Sequence, residues 1–432
     1  MKWIICLFIF SFLLFSLRVS SEETVKHDNN LGVLPAVSFS TDDGFQYGAI
    51  LNLFNYGDGS RYPVYNYSTY LELSRYTKGS SLCRLYFDTD KLFPRIRCFI
   101  DLTYLAEDFL DFYGYNGYQS IYSPEYISNN QYFYKMSQKQ LKMIIDLKGN
   151  LPVNNLFWLA SYNLIRYRDG SVDYTQINKE KSGNDQIEPG GSLYEKYVDW
   201  GLISNREAKG GTVSAIKAGL VYDTRNALNN PDKGLYTEAL IEMAPGFMNK
   251  NPYTQYAIIH RQYQRILKNK LNIAVRLGVQ GKIGENSVPY FRRTQLISPF
   301  AKRTNVTGFG GANSMRGILK NRVTGDAVAL GNFELRWKIS SFRLINQNFY
   351  IGLNSFFDTG IVLDPINLSK VPEADKNLYF DLNKKDRFHS STGGGLKLVM
   401  NENFIVSAEF GKALNKQDGA NMGSYIDLNY LF

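Results

Sequence analysis

Strict alternation between apolar and polar residues is the feature that most constrains this chain. From Leu271 to Gln280 every odd position is apolar, while the even positions carry Asn, Ala, Arg, Gly and Gln. The same alternation runs from Phe333 to Ile339. A period of two places apolar side chains on one face of a β-strand and polar side chains on the other. These segments therefore predict strands that separate an apolar environment from a polar one.

The first 21 residues follow a different pattern. Lys2 precedes an apolar run over 4–17, and Ser21 provides a small residue for cleavage. This arrangement predicts a secretory signal peptide over 1–21, followed by a short periplasmic leader over 22–32. An N-terminal membrane anchor is the alternative, but the run is short for a helix that must span about 20 residues.

The composition favours a membrane-spanning β-barrel over residues 33–432. No later stretch reaches eighteen consecutive apolar residues, so no membrane-spanning helix is expected. The chain is nevertheless 15% aromatic, and its mean hydropathy is −0.28. A barrel reconciles these facts because every second residue faces its polar lumen. A secreted β-sandwich is the soluble alternative, but a chain this long would need two or three sandwiches, and no linker separates them.

Sixteen segments have the length and alternation of strands. An even number returns both chain ends to the same side, as single-chain bacterial barrels require. The expected strands lie near 33–40, 45–54, 63–75, 81–88, 95–106, 131–147, 155–168, 211–223, 234–245, 252–266, 271–282, 326–339, 347–358, 388–400, 403–413 and 422–432.

The connections between these strands sort by length. One side carries mostly short links, among them 88–94, 149–154 and 267–270. The other side carries the long ones, near 169–210, 284–325 and 359–387. Short periplasmic turns and long outer loops are typical of outer-membrane barrels. The fold expected is therefore all-β: a 16-stranded antiparallel transmembrane barrel in the bacterial outer membrane.

Three stretches go beyond a generic barrel: Tyr222–Gly234, Gly308–Ile318 and Phe357–Gly360. Together they resemble the bacterial surface antigen family, the BamA/TamA-like superfamily of outer-membrane barrels. The resemblance covers roughly 31–432. It depends on the order of the motifs, on the place of the second motif between strands eleven and twelve, and on the strand count.

The resemblance implies that the loop containing Arg316 and Gly317 folds back into the lumen. Arg316 would there meet two acidic residues of the barrel wall, Glu334 and Asp358, which the alternation places on lumen faces. A guanidinium group forks onto carboxylates, so such contacts could pin a long loop inside the barrel. Without the resemblance, Arg316 would be one solvated loop arginine among many. A hydrated pair would contribute on the order of 1 kcal/mol or less.

The first motif also has a structural interpretation. Asp223, Arg225, Pro231 and Gly234 belong to a polar segment with the composition of a strand connection. We interpret Asp223 and Arg225 as residues that order a turn and not as catalytic groups.

The sequence departs from the family in two ways. Ile318 stands where an aromatic residue usually follows the Arg-Gly pair. In addition, the segment from Ser21 to Val33 has room for only about a dozen residues. The periplasmic polypeptide-transport-associated (POTRA) domains of assembly proteins need about 75 residues each, so we expect a barrel-only member.

No pattern of catalysis, metal binding or nucleic-acid binding stands out. The three histidines, His27, His260 and His389, are far apart and outside any metal-ligand spacing. The net charge of +9 is scattered along the chain, which argues against a nucleic-acid patch. We therefore expect no enzyme activity, no metal and no cofactor.

The resemblance suggests that the barrel assists insertion or translocation of outer-membrane or surface proteins. Partners would be membrane lipid, client outer-membrane proteins and a separate periplasmic partner. A closed pore or a structural surface antigen is the alternative. The two differ at the seam between the first and last strands, since few paired residues there favour the assembly role. The alternation over 422–432 predicts a full last strand at the periplasmic rim, and Phe432 resembles the terminal aromatic residue of an assembly signal.

Two cysteines test the strand register. If Asp88 faces Phe93 across the link between strands four and five, Cys83 faces Cys98 on the lipid side. Directly opposite residues come close enough to consider a disulfide, although the separation is long for one. We expect proximity and leave the bond open.

Overall fold

A computed structural model describes residues 26–432, apart from 63, 228–229, 269, 298–307, 345–346, 402–403 and 429–430. The signal peptide expected over 1–21 lies outside the described residues. Within the described part of the chain, no helix is both long and apolar enough to cross a membrane. The first strand begins at Asn29, inside the segment expected to be a leader.

The chain folds into strands β1 to β16, which agree in number and approximate place with the sequence pattern. They are, in order, Asn29–Ser40, Gly44–Asn55, Tyr67–Tyr76, Ser80–Phe93, Ile96–Asp111, Lys135–Asn150, Leu156–Gly170, Thr212–Asp223, Gly234–Ala244, Tyr253–Leu267, Leu271–Lys282, Ala327–Leu344, Gln347–Asp364, His389–Met400, Phe404–Ala413 and Gly423–Leu428.

These strands form one closed antiparallel barrel. Each strand pairs with its neighbours in sequence, and β16 pairs with β1 to complete the ring. The 16-stranded antiparallel barrel predicted from the sequence is therefore confirmed. Closure matters physically because a strand edge exposed to lipid would leave backbone groups without partners.

The two faces of the strands carry the alternation seen in the sequence. On β12, Phe333 and Trp337 point outward and are 42% and 50% exposed. Their neighbours Glu334 and Arg336 point into the lumen and are almost fully buried. The wall is thus apolar outside and charged inside, as a barrel surrounded by lipid requires.

The two rims of the barrel differ. At one rim, which we call the short-turn rim, the links are brief, such as 94–95 between β4 and β5 and 268–270 between β10 and β11. At the opposite, long-loop rim, the links include 112–134, 171–211 and 283–326. This is the asymmetry expected from the sequence.

The loops of the long-loop rim pack into a cap over the lumen. Its core is aromatic, and Tyr115, Tyr197 and Trp200 lie at its centre. Phe112 meets the rings of Tyr115 and Tyr197 edge to face, a favoured geometry for aromatic pairs. The described α-helices all belong to these loops: Pro124–Asn129, Tyr174–Ile177, Leu193–Asp199, Tyr290–Arg293 and Glu373–Tyr379.

The expected proximity of Cys83 and Cys98 is wrong. Cys83 faces Tyr104, and Cys98 faces Thr89, so the two cysteines are far out of register and both are free. The cause is the turn. β4 continues to Phe93, so the link between β4 and β5 consists only of Pro94 and Arg95. The φ of Arg95 is +61°. An irregularity between Thr89 and Phe93 then shifts the ladder.

Candidate functional site

The loop between β11 and β12 folds back into the lumen as a compact hairpin. Phe309 pairs with Val323 at its base, and the backbone N–H of Gly311 donates to the oxygen of Ile318 at 2.8 Å. Ile318 is buried against the apolar residues of the loop and of the wall. An aliphatic residue therefore fills the position where the family usually has an aromatic one.

Arg316 at the tip of this hairpin is held by carboxylates of the barrel wall. Its Nε and Nη2 donate to the two oxygens of Asp358 at 2.9 and 3.0 Å. Its Nη1 donates to Glu334 at 2.6 Å and to Glu409 at 2.9 Å. The guanidinium carbon lies 3.6 Å from the ring centre of Phe356. The contacts expected from the sequence are present, with Glu409 as an additional carboxylate.

Burial makes these contacts strong. Only 1% of the Arg316 residue surface is exposed. Burial alone would lower the pKa of Arg316, but the charges of Asp358, Glu334 and Glu409 outweigh it and hold the pKa well above its ordinary value. Arg316 is therefore charged, and its removal would leave three carboxylates without their common partner.

Gly317 permits the close approach of the loop to the wall. Its φ is +84°, and a Cβ there would lie 2.5 Å from backbone atoms of Gly411 and Lys412. Its N–H donates to the hydroxyl of Tyr425 on β16 at 2.8 Å. The loop thus contacts β15 and β16 through backbone that leaves no room for a side chain.

Replacing Gly317 with alanine should release the loop. The strained φ would cost roughly 1–2 kcal/mol, and the collision with the wall would add to it. Gly284→Ala is the matched control, since Gly284 has φ +83° but open space around it. We expect rapid proteolysis within the loop of the Gly317 variant and little change in the control. Equal protease sensitivity in the two variants would contradict a role for the close approach.

A second set of contacts joins the same loop to the start of the barrel. Lys320 donates to Asp43 and to Glu107, both at 2.8 Å. Burial lowers the pKa of Lys320, but the charges of Asp43 and Glu107 raise it above the usual range. In addition, Asp42 accepts the backbone N–H of Ala312 at 2.9 Å. The loop therefore contacts both the β1–β2 link and β16.

The seam between β1 and β16 is short. Among the described residues, the ladder has two pairs, Phe39 with Ile426 and Ser40 with Tyr425. Just beyond them Thr41 and Ser424 exchange backbone and hydroxyl hydrogen bonds. Every other neighbouring pair of strands has a longer ladder in the described part of the barrel. The described pairs of the seam lie at its long-loop end, and no pair is described among residues nearer the short-turn rim.

The open part of the seam exposes the edge of β1. Residues 29–38 pair with β2 on one side. On the other side, the described part of β16 offers them no paired residue. Leu31 and Val33 are 67% and 64% exposed along this stretch. A free strand edge is a template for the addition of another strand.

Among the described residues, the full last strand expected over 422–432 is not formed. β16 covers Gly423–Leu428, and Phe432, which is not in a strand, contacts lumen residues. Its backbone oxygen accepts from Arg336 at 3.0 Å. The guanidinium carbons of Arg276 and Arg336 each lie 5.2 Å from its ring centre. Attraction between the ring and these cations competes with strand pairing, which the local alternation could not indicate.

The first sequence motif forms a turn at the short-turn rim. Arg225 donates to both carboxylate oxygens of Asp223, at 2.9 and 2.8 Å. Pro231 is buried, and Gly234 has φ +108° where a Cβ would meet the oxygen of Thr224. These contacts order a connection between β8 and β9. The turn lies at the rim opposite to the one from which the Arg316 loop enters.

Sequence reasoning missed several members of the lumen site. Glu409 was detectable, because alternation along β15 places it on the lumen face beside outward-facing Phe410. Lys320 gave no such signal, since it lies in an irregular loop and meets residues distant in sequence. Arg276 and Arg336 were expected to face the lumen, but nothing local indicated that they would hold Phe432.

The fold and this site define a class: a closed outer-membrane-type barrel with an inward loop pinned by an arginine to the wall. The Omp85 superfamily domain matches residues 107–427, and the chain belongs to this superfamily. No curated protein matches the sequence.

Two solved structures have a similar barrel. BamA from Haemophilus ducreyi lacking POTRA domains 1–3 has a TM-score of 0.58 at 16% identity, covering 94% of this chain and 70% of that one. CdiB from Escherichia coli has a TM-score of 0.53 at 9% identity, covering 92% of this chain and 63% of that one. At these identities the likeness concerns the fold.

Proposed function

We propose that this barrel assists the insertion or translocation of outer-membrane or surface proteins. The observation that carries the proposal is the exposed edge of β1 over 29–38, beside a seam with two residue pairs in its described part. A client segment in an extended conformation would add to this edge through backbone hydrogen bonds. Separation of the remaining pairs would then let the client move sideways into lipid.

The lumen supports this role better than that of an open pore. The aromatic cap covers the lumen at the long-loop rim, and the Arg316 loop fills the space beneath it. A pore would need a continuous hydrated path. The outward apolar band would contact membrane lipid, with the short turns toward the periplasm, where a separate partner protein could deliver clients.

Depletion of the protein in its own cells tests the proposal. We expect the outer-membrane proteome to lose a subset of barrel or surface proteins, with recovery on re-expression of the wild-type chain. A barrel that serves as a pore or a structural antigen predicts a different result: an unchanged proteome, with altered uptake of small solutes in the case of a pore.

A further inference from the structure

A cleft opens at the short-turn rim beside the end of β10. β9 begins at Gly234, which pairs with Tyr263, so within the described strands β9 offers the last residues of β10 no paired residue. The cleft has a volume of about 520 Å³. We call it the β10 cleft and define it by six of the residues that line it: Lys233, Leu235, Gln262, Gln264, Arg265 and Lys268.

Polar side chains on the outer face of β10 distinguish this part of the wall. The even-numbered residues of β10 point outward: Ile258 is 45% exposed, and Gln262 and Gln264 are exposed farther along the strand. The hydroxyl oxygen of Thr237, on β9, lies 2.8 Å from Nδ1 of His260. In the described part of the barrel neither glutamine amide has a hydrogen-bond partner. Because an unpaired amide is costly in hydrocarbon, this stretch requires polar groups from its surroundings.

Aromatic residues on both sides of β10 place this stretch at the membrane interface. Along the ladder, Tyr222 on β8 lies in line with His260, two strands away. Trp337 on β12 lies in line with Leu267, again two strands away. Tyrosine and tryptophan are enriched where a membrane meets water. Strand tilt shifts the two lines in opposite directions, so on β10 the interface falls between these two positions, where the two glutamines lie.

The β10 cleft has an excess of positive charge. Arg265 donates to both carboxylate oxygens of Asp232, at 2.6 and 2.7 Å, so this pair is neutral. Lys233 and Lys268 are both exposed, and within the described residues neither ammonium group has an acidic partner. Lys270, in the same turn as Lys268, is also exposed. The cleft therefore attracts anions at the level of the membrane interface.

An apolar surface continues from the cleft toward the middle of the barrel wall. Leu235 lines the cleft, and Ala239 and Ile241 extend the outward face of β9 away from the rim. Ile241 is 54% exposed, and Ile258 on β10 lies beside this surface. A cationic cleft joined to an apolar surface matches a molecule with an anionic head and apolar chains. An acidic peptide would use the cations alone.

We propose that the β10 cleft binds the headgroup of an anionic phospholipid, with the acyl chains against the outward faces of β9 and β10. Lys233 and Lys268 neutralise the phosphate group, and the amide groups of Gln262 and Gln264 donate to its oxygens. A lysine ammonium group binds phosphate as a point charge. The proposal goes beyond the proposed function, because it assigns a lipid site whose occupation requires no client.

Lipid binding to the folded barrel in detergent micelles tests the assignment. Native mass spectrometry counts the lipids retained during titration with phosphatidylglycerol and, separately, with phosphatidylethanolamine, whose headgroup has no net charge. We expect the barrel to retain phosphatidylglycerol at concentrations at which phosphatidylethanolamine is lost. Added salt should weaken the retention, since exposed charges are screened.

Replacing both lysines of the cleft, Lys233→Gln with Lys268→Gln, should weaken the binding of phosphatidylglycerol about tenfold or more, because each cation near an anionic headgroup adds to the attraction. Lys26→Gln with Lys91→Gln is the matched control. Both of these lysines are exposed at the same rim but lie outside the cleft, so the net charge changes equally. We expect the control to bind like the parent, with heat-modifiable migration on a gel verifying that each variant is folded.

Two competitors separate the lipid from other anions. Inorganic phosphate and a polyglutamate peptide, each at a concentration equal to that of the lipid, should leave phosphatidylglycerol bound. If phosphate displaces the lipid completely, the acyl chains contribute nothing and the assignment fails. If the peptide binds through the two lysines and the lipid does not, the cleft docks an acidic protein segment instead.

The proposal is also overturned if the parent barrel retains the two lipids alike, a result that requires no variant. Equal binding of phosphatidylglycerol by the cleft variant and by the control variant would overturn it as well. None of these measurements involves a client protein, so the depletion experiment judges the proposed function separately.

Discussion

Replacing Arg316 with alanine should destabilise the barrel by about 3–5 kcal/mol, the cost of leaving buried charges without their partner. Three carboxylates, those of Glu334, Asp358 and Glu409, lose the cation that they share. The expectation from sequence was about 1 kcal/mol for a hydrated pair. The near-complete burial of Arg316 favours the larger loss of stability, because water does not replace the contacts of a buried group.

Three further variants sharpen this prediction. Arg316→Lys keeps the charge but lacks the planar fork that engages both oxygens of Asp358, so an intermediate loss is expected. Arg316→Ala combined with Asp358→Asn removes one unpaired charge and should recover part of the stability. Arg206→Ala changes an exposed arginine of another loop and is the control.

The measurements are urea unfolding of the barrel in liposomes and proteolysis of the loop over 284–325. In the Arg316→Ala variant we expect a lower unfolding midpoint and faster cleavage of the loop. If Arg316→Ala unfolds and is cleaved like Arg206→Ala, the arginine does not pin the loop, and the account of the lumen site is wrong.

Local patterns explain what the sequence could predict. The alternation of apolar and polar residues is a property of each strand by itself. The number of strands and the residues that face the lumen could therefore be predicted from it. Such features need no knowledge of how distant segments meet. The contact of Arg316 with Glu334 and Asp358 does join distant segments; it was implied by the family resemblance, and strand parity agreed by placing both carboxylates on lumen faces.

The position of one tight turn and the contacts between distant segments could not be predicted. The register at Cys83 was wrong because the turn at Pro94 and Arg95 is tighter than the expected link. The end of β16 was wrong because Phe432 meets arginines on β11 and β12. The first error concerns the position of a local turn, and the second concerns contacts between strands that are distant in sequence.

A covalent bond across the seam between β1 and β16 should abolish the insertion of client proteins by the barrel. Phe39 and Ile426 face each other across the observed pairing of β1 and β16. A disulfide between cysteines at these positions would prevent the two strands from separating. Lateral passage of a client requires that separation, so we expect insertion rates to fall at least tenfold, which corresponds to about 1.4 kcal/mol or more in the barrier.

The control is a disulfide of the same kind in an unbroken ladder. Leu51 on β2 faces Leu71 on β3, away from the seam. Cysteines at this pair would crosslink the barrel without tying β1 to β16, and the rate should stay near that of the parent. Reduction of the bond between positions 39 and 426 should restore the rate.

The most direct measurement is therefore the insertion of an outer-membrane barrel client into liposomes that contain the purified protein, before and after oxidation of each cysteine pair. The account predicts a large, reversible loss of insertion with the seam crosslinked and no loss with the β2–β3 pair crosslinked. Undiminished insertion by a barrel whose seam is fully crosslinked would contradict it.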